Sequence, residues 1–158
     1  MSKHIKSLLL AVSLVSVVPT LQAESNKAEG EYKNWRLISI AHREDNKTMR
    51  AILGNHIAIK SAQSGKHKTW QDGTILAKVL WKESRHDKWS QAFVPGEFMR
   101  AEAMIKDSKK FAKSGGWGFG HWVNGKLEMH DAETSAKCFG CHVIAKDTDY
   151  VFHHAVLY

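Results

Sequence analysis

Cysteine is scarce in this chain: two occur in 158 residues, Cys138 and Cys141. A bridge between positions three apart would close a tiny loop that constrains little of the unfolded chain, so a disulfide framework is a poor account of them. Long apolar runs are missing too. The longest, "SLLLAVSLVSVV" at 7–18, is about a dozen residues, short of the roughly 20 a membrane-spanning helix needs. There are no internal repeats, no heptads and no second Cys or His pair with zinc-finger spacing. The excess of positive charge is not gathered into a stripe: Lys33, Lys47, Lys60, Lys66, Lys82, Lys106, Lys109 and Lys110 are scattered among acids, which argues against nucleic acid as a partner.

What is present begins with a basic head (Lys3, His4, Lys6), the short apolar run, Pro19 and the small-residue end Leu21-Gln22-Ala23. This is the layout of a secretory signal peptide over 1–23, cleaved near Ala23, and it predicts a periplasmic protein with no membrane span in the mature chain. The mature chain, 24–158, keeps 135 residues and loses Lys3 and Lys6, so its formal charge falls from +7 to +5. That length suits a single domain able to bury a core around a cofactor.

Glu24–Glu31 reads as a loose polar arm. "WRLISIAH", "TMRAIL" and "IAIK" read as strands, as does "TILAKVLW" after the Asp72-Gly73 turn, whose two faces are apolar except at Lys78. Pro95-Gly96 reads as a turn, and "EFMRAEAMIKDSKKF" after it as a strand ending near Lys106 or a helix. Asn124-Gly125 reads as a hairpin turn between two further strands, and Asp131 as the N-cap of a late helix carrying both cysteines. The expected class is mainly β (α+β): an antiparallel sheet with a few short helices, one of them holding the cysteines near the C-terminus.

"CFGCH" at 138–142 is the element with the most chemistry in it. A redox dithiol of thioredoxin type wants a βαβ setting that this late position lacks, and zinc wants two more ligands; His121, His130, His153 and His154 are available but form no second closely spaced pair of zinc-finger type. C-x-x-C-H is the attachment motif of c-type haem: the thiols of Cys138 and Cys141 add to the porphyrin vinyls, and His142 becomes the proximal iron ligand. One motif predicts one covalent haem c. The other axial position then decides function. Met49, Met99, Met104 or Met129 there would make an electron carrier. An open position would make a gas binder if lined by apolar groups, or an enzyme if lined by charged ones. Lys78, Arg50 and Glu102 are each a charge inside an apolar segment, though by pattern alone Lys78 reads as a snorkelling surface residue rather than one held against a cofactor.

Taken in order, "YKNWR", "TMR", "DGTILAK", "EAMIKDSKKF", "GWGFGHW", "CFGCH" and "AKDTDYVF" resemble the cytochrome P-460 family, exported c-type haem proteins that include hydroxylamine-oxidising enzymes. The resemblance implies a mainly antiparallel β fold, commonly a homodimer, and a redox protein as electron acceptor. It assigns Cys138 and Cys141 to the thioethers, His142 to the iron and Lys78 to a covalent bond with the porphyrin rim. Arg50 and Glu102 match a distal arginine and a distal carboxylate, the catalytic pair for oxidation of hydroxylamine to nitric oxide or nitrous oxide at a five-coordinate iron. The same resemblance extends to cytochromes c prime-beta, which bind nitric oxide without the cross-link in a more apolar pocket. For these Phe93, Phe98, Phe111 and Phe119 are the aromatic candidates. Lys78, Arg50 and Glu102 together favour the enzyme.

Overall fold

Alternating β-branched, aromatic and aliphatic residues build six strands. They are β1 (Arg36–Arg43), β2 (Thr48–Gly54), β3 (Ile75–Arg85), β4 (Phe93–Lys106), β5 (Trp117–Val123) and β6 (Lys126–Met129). A computed structural model describes residues 32–64 and 69–156; the signal peptide and polar arm read from the sequence lie outside the described residues. The strands pair in chain order, each antiparallel to the next, so the sheet is a six-stranded meander. The mainly β expectation is met, and among the described residues no helix is long and apolar enough to cross a membrane.

β3 shows why the sheet carries apolar residues on both faces. Leu76 points to one side, into a core with Ile38, Ile52, Trp117, Phe119 and Val151; Ala77 and Val79 point to the other, under Tyr32, Trp35, Trp81 and Trp122. Period-two alternation gives each side its own set. Asn124 and Gly125, both at positive φ, close the β5–β6 hairpin as the dipeptide predicts.

Two expectations are corrected. "IAIK" is not a strand but part of helix α1 (His56–Gln63). Its burial repeats at helical period: Ala58, Ile59, Ser61 and Ala62 are inside, His56, Lys60 and Gln63 outside. Asn55 starts the helix, its Oδ1 accepting from the Ala58 amide at 2.9 Å and from the Ile75 amide at 3.2 Å while its Nδ2 donates to the Gly73 carbonyl at 2.9 Å. Asn55→Ala should therefore cost about 2 kcal/mol, the upper end for a lost cap; urea melts of the holoprotein measure it, and an unmoved midpoint would deny Asn55 this role. The second correction concerns Pro95-Gly96, which lies within β4, not in a turn. Pro95 sits opposite Glu83, beside the register shifts around Trp81 where a ladder can do without a proline amide. The chain reverses instead between Arg85 and Phe93.

Candidate functional site

The register of the central strands puts Ile52, Lys78, Glu102 and His121 side by side in one row across β2 to β5. Directly opposed residues in an antiparallel sheet share a face, so Lys78 and Glu102 meet although 24 positions separate them in the chain. Lys78 Nζ forms an ion pair with Glu102 Oε2, and Arg100, two residues back on the same face of β4, donates from Nε to Oε1. The side chains of Lys78 and Glu102 keep only 32% and 26% exposure, so Lys78 is not a snorkelling surface residue. Burial alone would raise the Glu102 carboxyl, but the attraction of Lys78, then of Arg100, outweighs it and holds the group below the usual carboxylate range.

Helix α2 (Ala132–His142) faces this row. Asp131 caps it by accepting the Thr134 amide at 2.7 Å, as its sequence position predicts. Near its end the thiols of Cys138 and Cys141 are unpaired, and burial raises the Cys138 thiol. After His142 the chain winds through a short helical turn, Val143–Thr148, and then takes two consecutive left-handed residues, Asp149 (φ 52°) and Tyr150 (φ 64°). This reversal brings the Tyr150 carbonyl back to His142, 2.7 Å from Nδ1. Burial lowers the His142 pKa, keeping the ring neutral. A neutral imidazole bonded to a carbonyl through Nδ1 carries its proton there, which leaves the Nε2 lone pair for a metal. Phe119 and Phe152 flank the ring, with centroids 5.5 and 4.9 Å away.

Between sheet and helix lies a cavity of about 490 Å³. Arg50, Lys78, Glu102, Cys138, Cys141 and His142 all line it, so every site residue read from the sequence is brought to one place. Arg50 does not touch the carboxylate; its Nε donates to Thr48 Oγ1 at 3.3 Å, and burial lowers its pKa, with Arg43 beside it acting in the same direction. The partner that holds Glu102 charged, besides Lys78, is Arg100. Sequence reading missed it, although a cation two residues before Glu102 in a strand was the available signal.

His130, Phe152 and His153 also line the cavity and were not read as part of it. Of the methionine candidates only Met104 is among the lining residues, beside Ile52, Leu76 and Phe119. Of the phenylalanines named, Phe119 reaches the cavity, whereas Phe93 stacks on His42 and Phe111 packs over Gly118. Among the described residues no three of His, Cys, Asp and Glu converge as a bare metal ion would require.

The donor set fits haem. Two free thiols one helical turn apart and an imidazole with its outer nitrogen already committed border a space within the roughly 300–1,000 Å³ of cofactor pockets. The family model described as Cytochrome P460 matches residues 29–153. No curated protein matches the chain.

Proposed function

The chain belongs to the cytochrome P460 family and is a c-type haem protein of it, and from that premise we propose that it is a periplasmic enzyme oxidising hydroxylamine to nitric oxide or nitrous oxide. In this reading 1–23 is removed on export and 24–158 is one monohaem domain, working as a homodimer with a redox protein as electron acceptor. Cys138 and Cys141 hold the haem as thioethers, His142 binds its iron, and Lys78 is bonded to the porphyrin rim. The haem supplies the electron-accepting iron and a coordination position for the substrate nitrogen. Everything else falls to side chains.

The observation that carries the proposal is a carboxylate lining the cofactor cavity with Arg100 bonded to it. Each electron taken from hydroxylamine is matched by a proton that must leave, and Glu102 is a base aimed into the same space as His142. Arg50, charged and lining that space without bonding Glu102, is suited to orient a nitrogen–oxygen group. A pure gas-binding site has no proton to accept and so no use for a base there.

Tryptic mapping of the holoprotein tests the cross-link: a peptide containing Lys78 should stay attached to the haem-bearing Cys138–Cys141 peptide. A free Lys78 peptide would move the protein toward the gas-binding relatives. A pH profile tests the base. Because the Glu102 pKa is depressed, its carboxylate persists into acid and is lost only as pH falls through that lowered value; the stability its ion pairs contribute follows the same direction. Arg100→Gln removes one of the charges that depress it, so the acid limb of kcat/KM for hydroxylamine should move to higher pH. An acid limb that stays in place would detach it from Glu102.

A further inference from the structure

Parts of two motifs that carry the family resemblance, "DGT" at 72–74 and "KDSK" at 106–109, contribute no residue to the cavity. They are joined to each other instead: the Gly73 amide donates to the Lys106 carbonyl and the Lys106 amide to the Thr74 carbonyl, both at 2.8 Å, and the Asp72 carboxylate accepts from the Ser108 amide and hydroxyl. From this seam the Lys106 side chain runs inward and meets the third motif, "AKDTDYVF". Its Nζ lies 2.7 Å from Asp149 Oδ1, both side chains less than a tenth exposed, and donates also to the Gly115 carbonyl at 3.0 Å.

Asp149 is held on every side. Its Oδ2 accepts from the Trp70 amide and its carbonyl from Trp117 Nε1, each at 2.8 Å. It is also the first of the two left-handed residues, a conformation that costs a non-glycine side chain of order 1 kcal/mol or more and persists only where the surroundings impose it. The second, Tyr150, is the residue whose carbonyl meets His142. Its ring lies against Gly115, itself at φ 65°, where a Cβ would collide with it. A buried ion pair is a weak means of stabilising a fold, since desolvation offsets its attraction. What this pair holds in place is the better account of it.

We propose that Lys106 and Asp149 are positioning residues for His142, holding the strained turn whose carbonyl accepts the Nδ1 proton and thereby setting how strongly the imidazole donates to iron. The inference rests on His142 being the iron ligand. A firm Nδ1–H bond gives the ring anionic character, which strengthens its donation and favours the oxidised metal. Loosening the turn weakens that bond.

The test is the reduction potential of the purified holoprotein and the iron–histidine stretch of its ferrous form by resonance Raman, for wild type, Asp149→Asn and Lys106→Met. Both variants should favour the reduced state by about tenfold, an upward shift of about 59 mV for one electron, with a lowered stretching frequency. Wild-type potential and frequency in both variants would overturn the proposal. The wild-type spectrum is a test in itself, needing no variant: a frequency of an unbonded neutral imidazole overturns the positioning role alone. Absence of any iron–histidine mode overturns the ligand reading beneath it.

Discussion

Glu102→Gln is expected to lower hydroxylamine turnover by about 10²–10⁴-fold, the range a positioned acid–base group contributes, while haem content and the resting spectrum stay as in wild type. The amide nearly matches the carboxylate in size and can still accept from Arg100, so the packing of the cavity is preserved. What it cannot do is accept a proton. Burial would ordinarily favour a neutral acid at this position, and the adjacent cations oppose that; once Lys78 is bonded to the porphyrin rim, Arg100 is the cation that remains, and Glu102→Gln leaves it in place, so proton acceptance is separated from binding. If the variant takes up nitric oxide normally yet has lost turnover, the defect lies in chemistry. Turnover within a few-fold of wild type would end the case for Glu102 as the base.

Trp117→Ala should be the most destabilising of the substitutions considered, by about 4 kcal/mol or more. Its side chain is fully buried, and truncating a core Trp costs about 3–5 kcal/mol. The indole also donates to the Asp149 carbonyl and lies with its ring 5.0 Å from Lys106 Nζ, so truncation leaves a buried acceptor unpaired and opens space beside a buried charge. Since a domain is stable by only about 5–15 kcal/mol in total, much of the margin disappears. Trp117→Phe separates the two contributions: it fills most of the volume and loses the hydrogen bond, for a cost of about 1–3 kcal/mol. Urea unfolding of the holoprotein measures both. Equal losses for Phe and Ala would assign the effect to the hydrogen bond, contrary to the cavity argument.

Where sequence reading succeeded, the signal was short-ranged. The alternation through 75–81 is a property of neighbouring pleats, the Asn124-Gly125 turn of two backbone angles, and the Asp131 cap of an amide three residues on. Where it failed, a competing local choice won. "IAIK" has strand composition, yet Asn55 bonds forward to Ala58 and across to Ile75, and the helix is stabilised by the face it buries. Pro95-Gly96 has turn composition, yet a bulged long hairpin accommodates it.

The chain's own order of residues determined where the thiols and the imidazole stand: Cys138, Cys141 and His142 lie within five positions, and one helix carries all three to one wall of the cavity. It also determined the alternation that makes the sheet, and so the fold class. Only the tertiary structure decided the state of the groups around that site. Glu102 meets Lys78 and Arg100 because strand register sets them side by side, and His142 presents Nε2 because a carbonyl eight residues later turns back to its other nitrogen. That turn is in turn tied to Lys106, 43 positions away. Covalent spacing is local and can be read along the chain, whereas ionisation and tautomer depend on the field of whatever groups folding brings within a few ångströms.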